Sequence, residues 1–473
     1  MTIVDYRAAD HRLVAGQWLG TAGSGLIVLG GVFAGVGPSG DPAQLRSDAG
    51  AAVMVPTAVV YAGMALLTLG WFTLGRTVLA GGTTTRDLIR TGVMWAVPFA
   101  LSGPIFSRDV YSYLAQGAMT VSGLDPYRFG PSALGGELAA GIPPIWQHTP
   151  APYGPVFLSL AGGVATLTRQ ELWPGLIAMR LLAVAGVAVI GVAVHRIARE
   201  CGVDPGAALW LGVLNPLVLL HLVADAHNEA VMLGLLCAGL VLALDRRPLA
   251  AAVLITLAGL VKGPALLGLP FVAALWAGYL PGRAPRLRAA GAAALTAAGT
   301  AVIVTALTGT GFGWIPALRT PTRARTWMSL TTDLGSLIGR ILRTLGLAGA
   351  DETRQAVWLA GLAAAGVIVL LLLHHGRSLG MVTAFGLAMT ALVILSPVVH
   401  AWYLLWGVIP IAAAATSARI RGVVAYSCPV LCLLSPPNGV EPGVQLVIGA
   451  VCGVGLGVLA YGLQGAVAAP VRR

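Results

Sequence analysis

Apolar runs separated by short polar turns make up almost the whole chain. They cover 15–36, 51–73, 88–106, 152–168, 175–195, 207–224, 228–245, 249–261, 264–280, 289–308, 355–373, 379–397, 402–417, 422–435 and 443–463. A helix needs roughly 20 apolar residues to cross the hydrocarbon layer, so most of these runs predict transmembrane helices. Basic residues cluster in particular turns: Arg76 with Arg86 and Arg90, Arg196 with Arg199, Arg246 with Arg247, Arg283 with Arg286 and Arg288, Arg377, Arg419 with Arg421, and Arg472 with Arg473. The positive-inside bias puts these turns on the cytoplasmic side. The loops 107–150, 225–228, 309–354, 398–401 and 436–442 then fall outside. The run 152–168 opens on a Pro152-Tyr153-Gly154-Pro155 break and has to be re-entrant or partial, because it starts outside and the next run, 175–195, must start outside too if it ends inside at Arg196. About 14 spans result. The pattern predicts an all-α, polytopic membrane protein forming one domain over 1–473. No repeat, linker or hydrophilic domain interrupts it.

Composition agrees. The chain is 57% hydrophobic and 10% charged, with mean hydropathy +0.84, whereas a soluble domain is about a quarter charged. Its 63 glycines suit helices that approach closely in lipid. The net charge of +11 sits mostly in short loops, where topology and anionic headgroups account for it, so no nucleic-acid partner is expected. Five cysteines, at 201, 237, 428, 432 and 452, form no CxxC or Cys/His cluster and read as packing residues. The charged start, Met1–Arg12, precedes an apolar run with no clear cleavage site, which predicts an uncleaved first helix.

The chemistry concentrates in the outer loops. Ser107-Arg108-Asp109 places a carboxylate at the exit of an apolar run. Tyr111, Tyr113, Leu114 and Ala118 follow at helical spacing, predicting a short helix on the membrane surface with its aromatic side in lipid. Gly123 ends it and Asp125-Pro126-Tyr127 turns the chain. Asp109 suits a general base at the lipid–water boundary, or else a helix cap; the residues alone leave both readings open. Further outer-face candidates are His148, Tyr153, Lys262, His400 and Trp402, since ionisable groups beside apolar runs are costly. Asp225-Ala226-His227-Asn228-Glu229 packs four polar groups into one turn. His227 and Glu229 can hydrogen-bond the hydroxyls of a polar substrate, while Asn228 or Asp225 can cap a helix. Three ligands in a single turn are weak grounds for a metal. Loop 309–354 is richer in Arg than in acid; bidentate phosphate contacts by Arg323 and Arg325 would explain this, as would attraction to headgroups or a loop long enough to escape the charge bias. No P-loop, Rossmann glycine pattern, HExxH or nucleophile elbow supports nucleotide-sugar or ATP chemistry.

The stretch SRDVYSYLAQG followed by GLDPY resembles the first outer loop of membrane glycosyltransferases that use polyprenol-phosphate sugars. It is most similar to the actinobacterial polyprenol-phosphate-mannose-dependent α-1,6-mannosyltransferases of lipomannan assembly. NPLVLLHLVADAHNEAVM (215–232) and SPVVHAWYLLWG (396–407) are similar in kind. The resemblance implies the GT-C architecture, with 107–150 as catalytic loop and 309–354 as lipid-phosphate-binding loop. It implies inverting transfer of mannose from polyprenol-phosphate mannose to the 6-hydroxyl of a lipid-anchored α-1,6-mannan, at the outer face of the plasma membrane. It implies Asp109 as catalytic base, with Arg108, Tyr111, Tyr113, Asp125, Tyr127 and the candidates above around the substrates. Val110 and Tyr111 follow Asp109 where the family often has a second acid. A paired-carboxylate metal site is therefore not expected, nor is any cofactor. The same architecture also serves other polyprenol-phosphate sugars, arabinose or glucose. A lipid-linked-sugar flippase is the alternative of a different class.

Overall fold

The computed structural model describes residues 3–34, 51–100, 102–320, 326–347, 349–437 and 444–467. Among these residues the chain is helical throughout, with no strand. Five helices are long and apolar enough to cross a membrane: His11–Phe33, Met54–Leu79, Leu172–Glu200, Pro285–Thr308 and Ala350–Leu379. On the last two, large apolar side chains such as Leu295, Leu307 and Leu370 stand exposed. Exposed apolar flanks on a fully hydrogen-bonded helix are what a bilayer solvates. The chain is thus built as a multi-pass membrane protein. The remaining apolar runs give shorter helices, Pro155–Leu167, Pro248–Gly259, Gly263–Ala277, Met381–Ile394 and Ala401–Ala414 among them.

Small residues set the close contacts. Helices Ile3–Ala34 and Ala51–Leu79 cross where a Cβ on Gly23 would lie 2.6 Å from the Gly63 carbonyl oxygen. Only glycine permits that approach. Trp71 and Trp210 stack at 4.7 Å, and each indole N–H donates to the other's backbone carbonyl at 2.9 Å. This satisfies two buried donors and joins the second helix to Pro205–Gly212. The five cysteines are all free thiols. Cys428 accepts an N–H from buried Asn215, consistent with a packing role.

Two features depart from the expectations. The predicted continuous run 207–224 is broken. Pro205–Gly212 ends, Asn215 turns the chain by accepting the Leu217 N–H, and a π-helical turn covers Val218–Ala224. Ala226 then adopts a left-handed φ of 53°, and Glu229–Leu244 leaves at 110° to the turn before it. A β-carbon in that region is strained and is held by its surroundings. Arg180, buried in Leu172–Glu200, donates to the carbonyls of Val223 and Ala224 at the break, where helical acceptors are left open, and to that of Ala100.

The second departure corrects the surface-helix prediction. Asp109–Val121 is a helix, but Val110 through Met119 are all buried. Its aromatics face protein, not lipid. Gly117 lets Pro155–Leu167 close against it, since a Cβ there would meet Ala161 at 2.4 Å, and Leu114 fills the space at Gly175 on the opposite side. The open apolar stripe falls instead on Leu330–Thr344, where Leu330, Leu334, Leu337 and Ile341 are exposed.

Candidate active site

A cavity of about 930 Å³ opens at the start of the Asp109 helix. Its polar wall includes Arg108, Asp109, Tyr153, Lys262 and His400, with Trp402 and Tyr403 as aromatic surface. Local geometry explains each placement. Arg108 occupies the N-cap position without a side-chain cap bond. Asp109 opens the first turn, and its side chain stays 29% exposed. Tyr153 is fixed because Gly154 lies against the segment before Lys262; a Cβ there would sit 2.1 Å from the Leu260 carbonyl oxygen. The N–H groups of Gly154 and Val156 donate to Val261 and Leu260. Lys262 falls in the gap between Pro248–Gly259 and Gly263–Leu267, where its ammonium leaves the apolar run and enters the cavity.

Behind this wall lies a buried polar cluster. Asp225 Oδ1 accepts the Ile105 and Phe106 N–H groups at 2.8 and 3.0 Å, tying the broken helix to the base of the Asp109 helix. Glu229 is fully buried and ion-paired with Lys262, whose ammonium also lies 4.4 Å from the Tyr403 ring centroid. His227 Nδ1 is 3.3 Å from the Tyr113 hydroxyl, 3.6 Å from Asp109 Oδ2 and 3.8 Å from Glu229 Oε2. Rings of His227 and His400 each stack on Trp402 at 4.3 Å. Burial pushes the Asp109 carboxyl up to about 6; the Lys262 charge opposes this, while Glu229 and Asp225 add to it. A carboxylate so placed has the basicity of a useful general base. Burial, with Lys262 and His221 nearby, pulls His400 down to about 3, so its imidazole is neutral and can donate or accept.

Among the described residues the sequence candidates divide into three groups. Asp109, Arg108, Tyr153, Lys262, His400 and Trp402 meet in the cavity wall. Tyr113, His227 and Glu229 stand behind it, outside the cavity lining. Neither Asn228 nor Asp225 caps a helix with its side chain; Asn228 makes no side-chain cap bond and Asp225 holds Ile105 and Phe106. Four others lie away from the cavity lining. Asp125 accepts the Tyr127 N–H in a turn, and the Tyr127 hydroxyl donates to the Tyr153 carbonyl. His148 pairs with Ser132, and Tyr111 is buried beside Gly141 and Arg108. Arg323 and Arg325 lie outside the described residues. Sequence reasoning passed over Arg180, His221 and Tyr403. The first two were ionisable residues inside apolar runs, which is the signal that would have found them.

Residues 17–278 match the model of the alpha-(1->6)-mannopyranosyltransferase N-terminal domain, and 331–462 match the MptB C-terminal domain. The chain belongs to the alpha-(1->6)-mannopyranosyltransferase family. Alpha-(1->6)-mannopyranosyltransferase B of Corynebacterium glutamicum is 34% identical over 93% of this chain and 79% of its own length. Alpha-(1->6)-mannopyranosyltransferase A of Mycobacterium tuberculosis is 35% identical over 86% of this chain and 81% of its own. The A and B relatives are thus about equally similar to it. Both matched stretches build the cavity: Asp109, Tyr153 and Lys262 come from the first, His400, Trp402 and Ser435 from the second. The broken helix would by itself suit a transporter; in this family it belongs to an enzyme.

Proposed function

We propose that this mannosyltransferase moves mannose from polyprenol-phosphate mannose to the 6-hydroxyl of a lipid-anchored α-1,6-mannan, at the outer face of the plasma membrane, with inversion. The observation that carries this reading is that a partly exposed carboxylate, Asp109, and a cation, Lys262, share the wall of one cavity. The acceptor hydroxyl oxygen attacks the anomeric carbon and its proton passes to Asp109. The bond from that carbon to the phosphate oxygen breaks, and the electron pair leaves on the lipid phosphate. Lys262 stabilises that growing charge. Trp402 and Tyr403 supply flat surfaces for a sugar ring, and neutral His400 a polar contact. Arg323 and Arg325, in sequence between cavity-lining Leu318 and Thr326, complete the phosphate clamp.

Purified protein incubated with polyprenol-phosphate mannose and a short α-1,6-mannoside tests the proposal. The expected product is the acceptor lengthened by one α-1,6-linked mannose. Transfer from polyprenol-phosphate arabinose or glucose with no transfer from the mannose donor would reassign the sugar. Movement of intact donor across a vesicle without any product would indicate a flippase.

A further inference from the structure

His221, Asp225 and His227 are brought together by the break in the helix, and their donor atoms lie within 4.8 Å of one another. His221 and Asp225 share one helical face four residues apart, and the left-handed Ala226 folds His227 back towards them. All three side chains are buried. Three of their polar atoms have no hydrogen-bond partner: His221 Nδ1, Asp225 Oδ2 and His227 Nε2. These same atoms face one another, Oδ2 lying 3.5 Å from His221 Nδ1 and 4.0 Å from His227 Nε2. Both separations are too long for hydrogen bonds, yet an unpaired buried carboxylate oxygen is expensive. The nearby cations are engaged elsewhere, Lys262 on Glu229 and Arg180 on three backbone carbonyls.

We propose that His221, Asp225 and His227 bind a divalent metal ion of the zinc class. Two imidazoles and one carboxylate favour a first-row transition ion over magnesium or calcium, which prefer oxygen ligands. Bonds of about 2.0–2.1 Å put tetrahedral donors roughly 3.3 Å apart, so the Asp225 oxygen, now 3.5 and 4.0 Å from the two imidazole nitrogens, must draw in on binding. The surrounding contacts are those that metal ligands require. Asp225 Oδ1 is held by two backbone N–H groups, and His221 Nε2 lies 3.1 Å from Ser435 Oγ. His221 and Trp402 both line the cavity, which gives an ion a way in. With Nε2 on the metal, His227 carries its proton on Nδ1, facing Tyr113, Asp109 and Glu229. The ion then positions the imidazole beside Asp109 and acts through it, departing from the sequence expectation of no metal. Binding itself stands whether or not Asp109 is the base.

The test uses full-length protein in detergent, stripped with a chelator and reloaded with cobalt(II) or zinc(II). Elemental analysis should find about one ion per chain, and cobalt should give the visible band of a low-coordinate nitrogen and oxygen site. His221→Gln and Asp225→Asn should lose both signals while His374→Ala, an exposed histidine elsewhere, keeps them. Reloading should raise the Tm of the wild type alone, and stripping should lower kcat with little change in donor KM. Folded wild-type protein that takes up less than about a tenth of an equivalent overturns the proposal, as does full loading of either variant. Should both variants fail to fold, the wild-type cobalt band and stoichiometry decide.

Discussion

Two helices of nearly equal length, Asp109–Val121 and Leu330–Thr344, both begin with an acid in the first turn and carry apolar residues at helical spacing. One ends enclosed and the other ends open. Around the first, glycines admit neighbours on several sides: Gly117 takes Ala161, Gly175 takes Leu114 and Gly141 takes Tyr111. The second has glycines on one side only, where Gly335 and Gly339 meet Arg354 and Ala350 of the helix that follows. Its opposite side keeps Leu330, Leu334, Leu337 and Ile341 exposed, the pattern of a helix lying in a bilayer interface. The difference decides what each acid can do. Asp109 is held at the edge of a cavity among buried charges, whereas Asp333 sits in an exposed region where water screens it. Periodicity reports that a helix is amphipathic; the small residues on its neighbours report whether it is covered.

The largest expected effect comes from breaking the charge pair behind the enclosed helix. Glu229→Ala leaves the Lys262 ammonium without its buried partner, and loss of one member of such a pair costs about 3–5 kcal/mol. The variant should unfold at markedly lower temperature in a thermal-shift assay, and turnover should fall with it. An unchanged Tm would mean that the cluster is looser than the geometry indicates. A smaller effect is expected for the two arginines between Leu318 and Thr326 in the sequence. Arg323→Gln combined with Arg325→Gln should raise donor KM several-fold and leave acceptor KM unchanged, because the proposed contact is to the lipid phosphate. Unchanged donor saturation would assign the pair to headgroups or topology. The smallest effect belongs to the open stripe. Leu337→Ser should alter stability by no more than about 0.5 kcal/mol. A spin label at the same position should meet oxygen dissolved in lipid more readily than a water-soluble nickel chelate. The reverse preference would take the stripe out of the bilayer.

Much of this was legible in the chain. Helical class and membrane character follow from the apolar runs, and Asp109, Lys262, His400 and Trp402 stand out as polar or interfacial residues at the ends of those runs. The rest was hidden for physical reasons. His221 and Arg180 sit inside runs read as plain helix, and their importance appears only where the chain breaks at Asn215 and Ala226. Glu229 and His227 were visible as polar, but their backing role depends on contacts with Lys262 and Tyr113 that lie far away in sequence. Asp125 and Tyr127 belong to a motif that resembles the family's, yet their hydrogen bonds close a turn and tie Tyr153 down.

The central claim is that the enclosed helix presents Asp109 as the base. Asn preserves the shape of the side chain but lacks its basicity, so Asp109→Asn should insert, keep the wild-type Tm within a few degrees and still bind donor. Loss of a positioned general base costs roughly 10²–10⁴-fold. Single-turnover transfer from saturating polyprenol-phosphate mannose to an α-1,6-mannoside should therefore slow by at least about a hundredfold in Asp109→Asn, while Asp333→Asn stays near wild type. Transfer by correctly inserted Asp109→Asn within about tenfold of wild type would contradict the assignment.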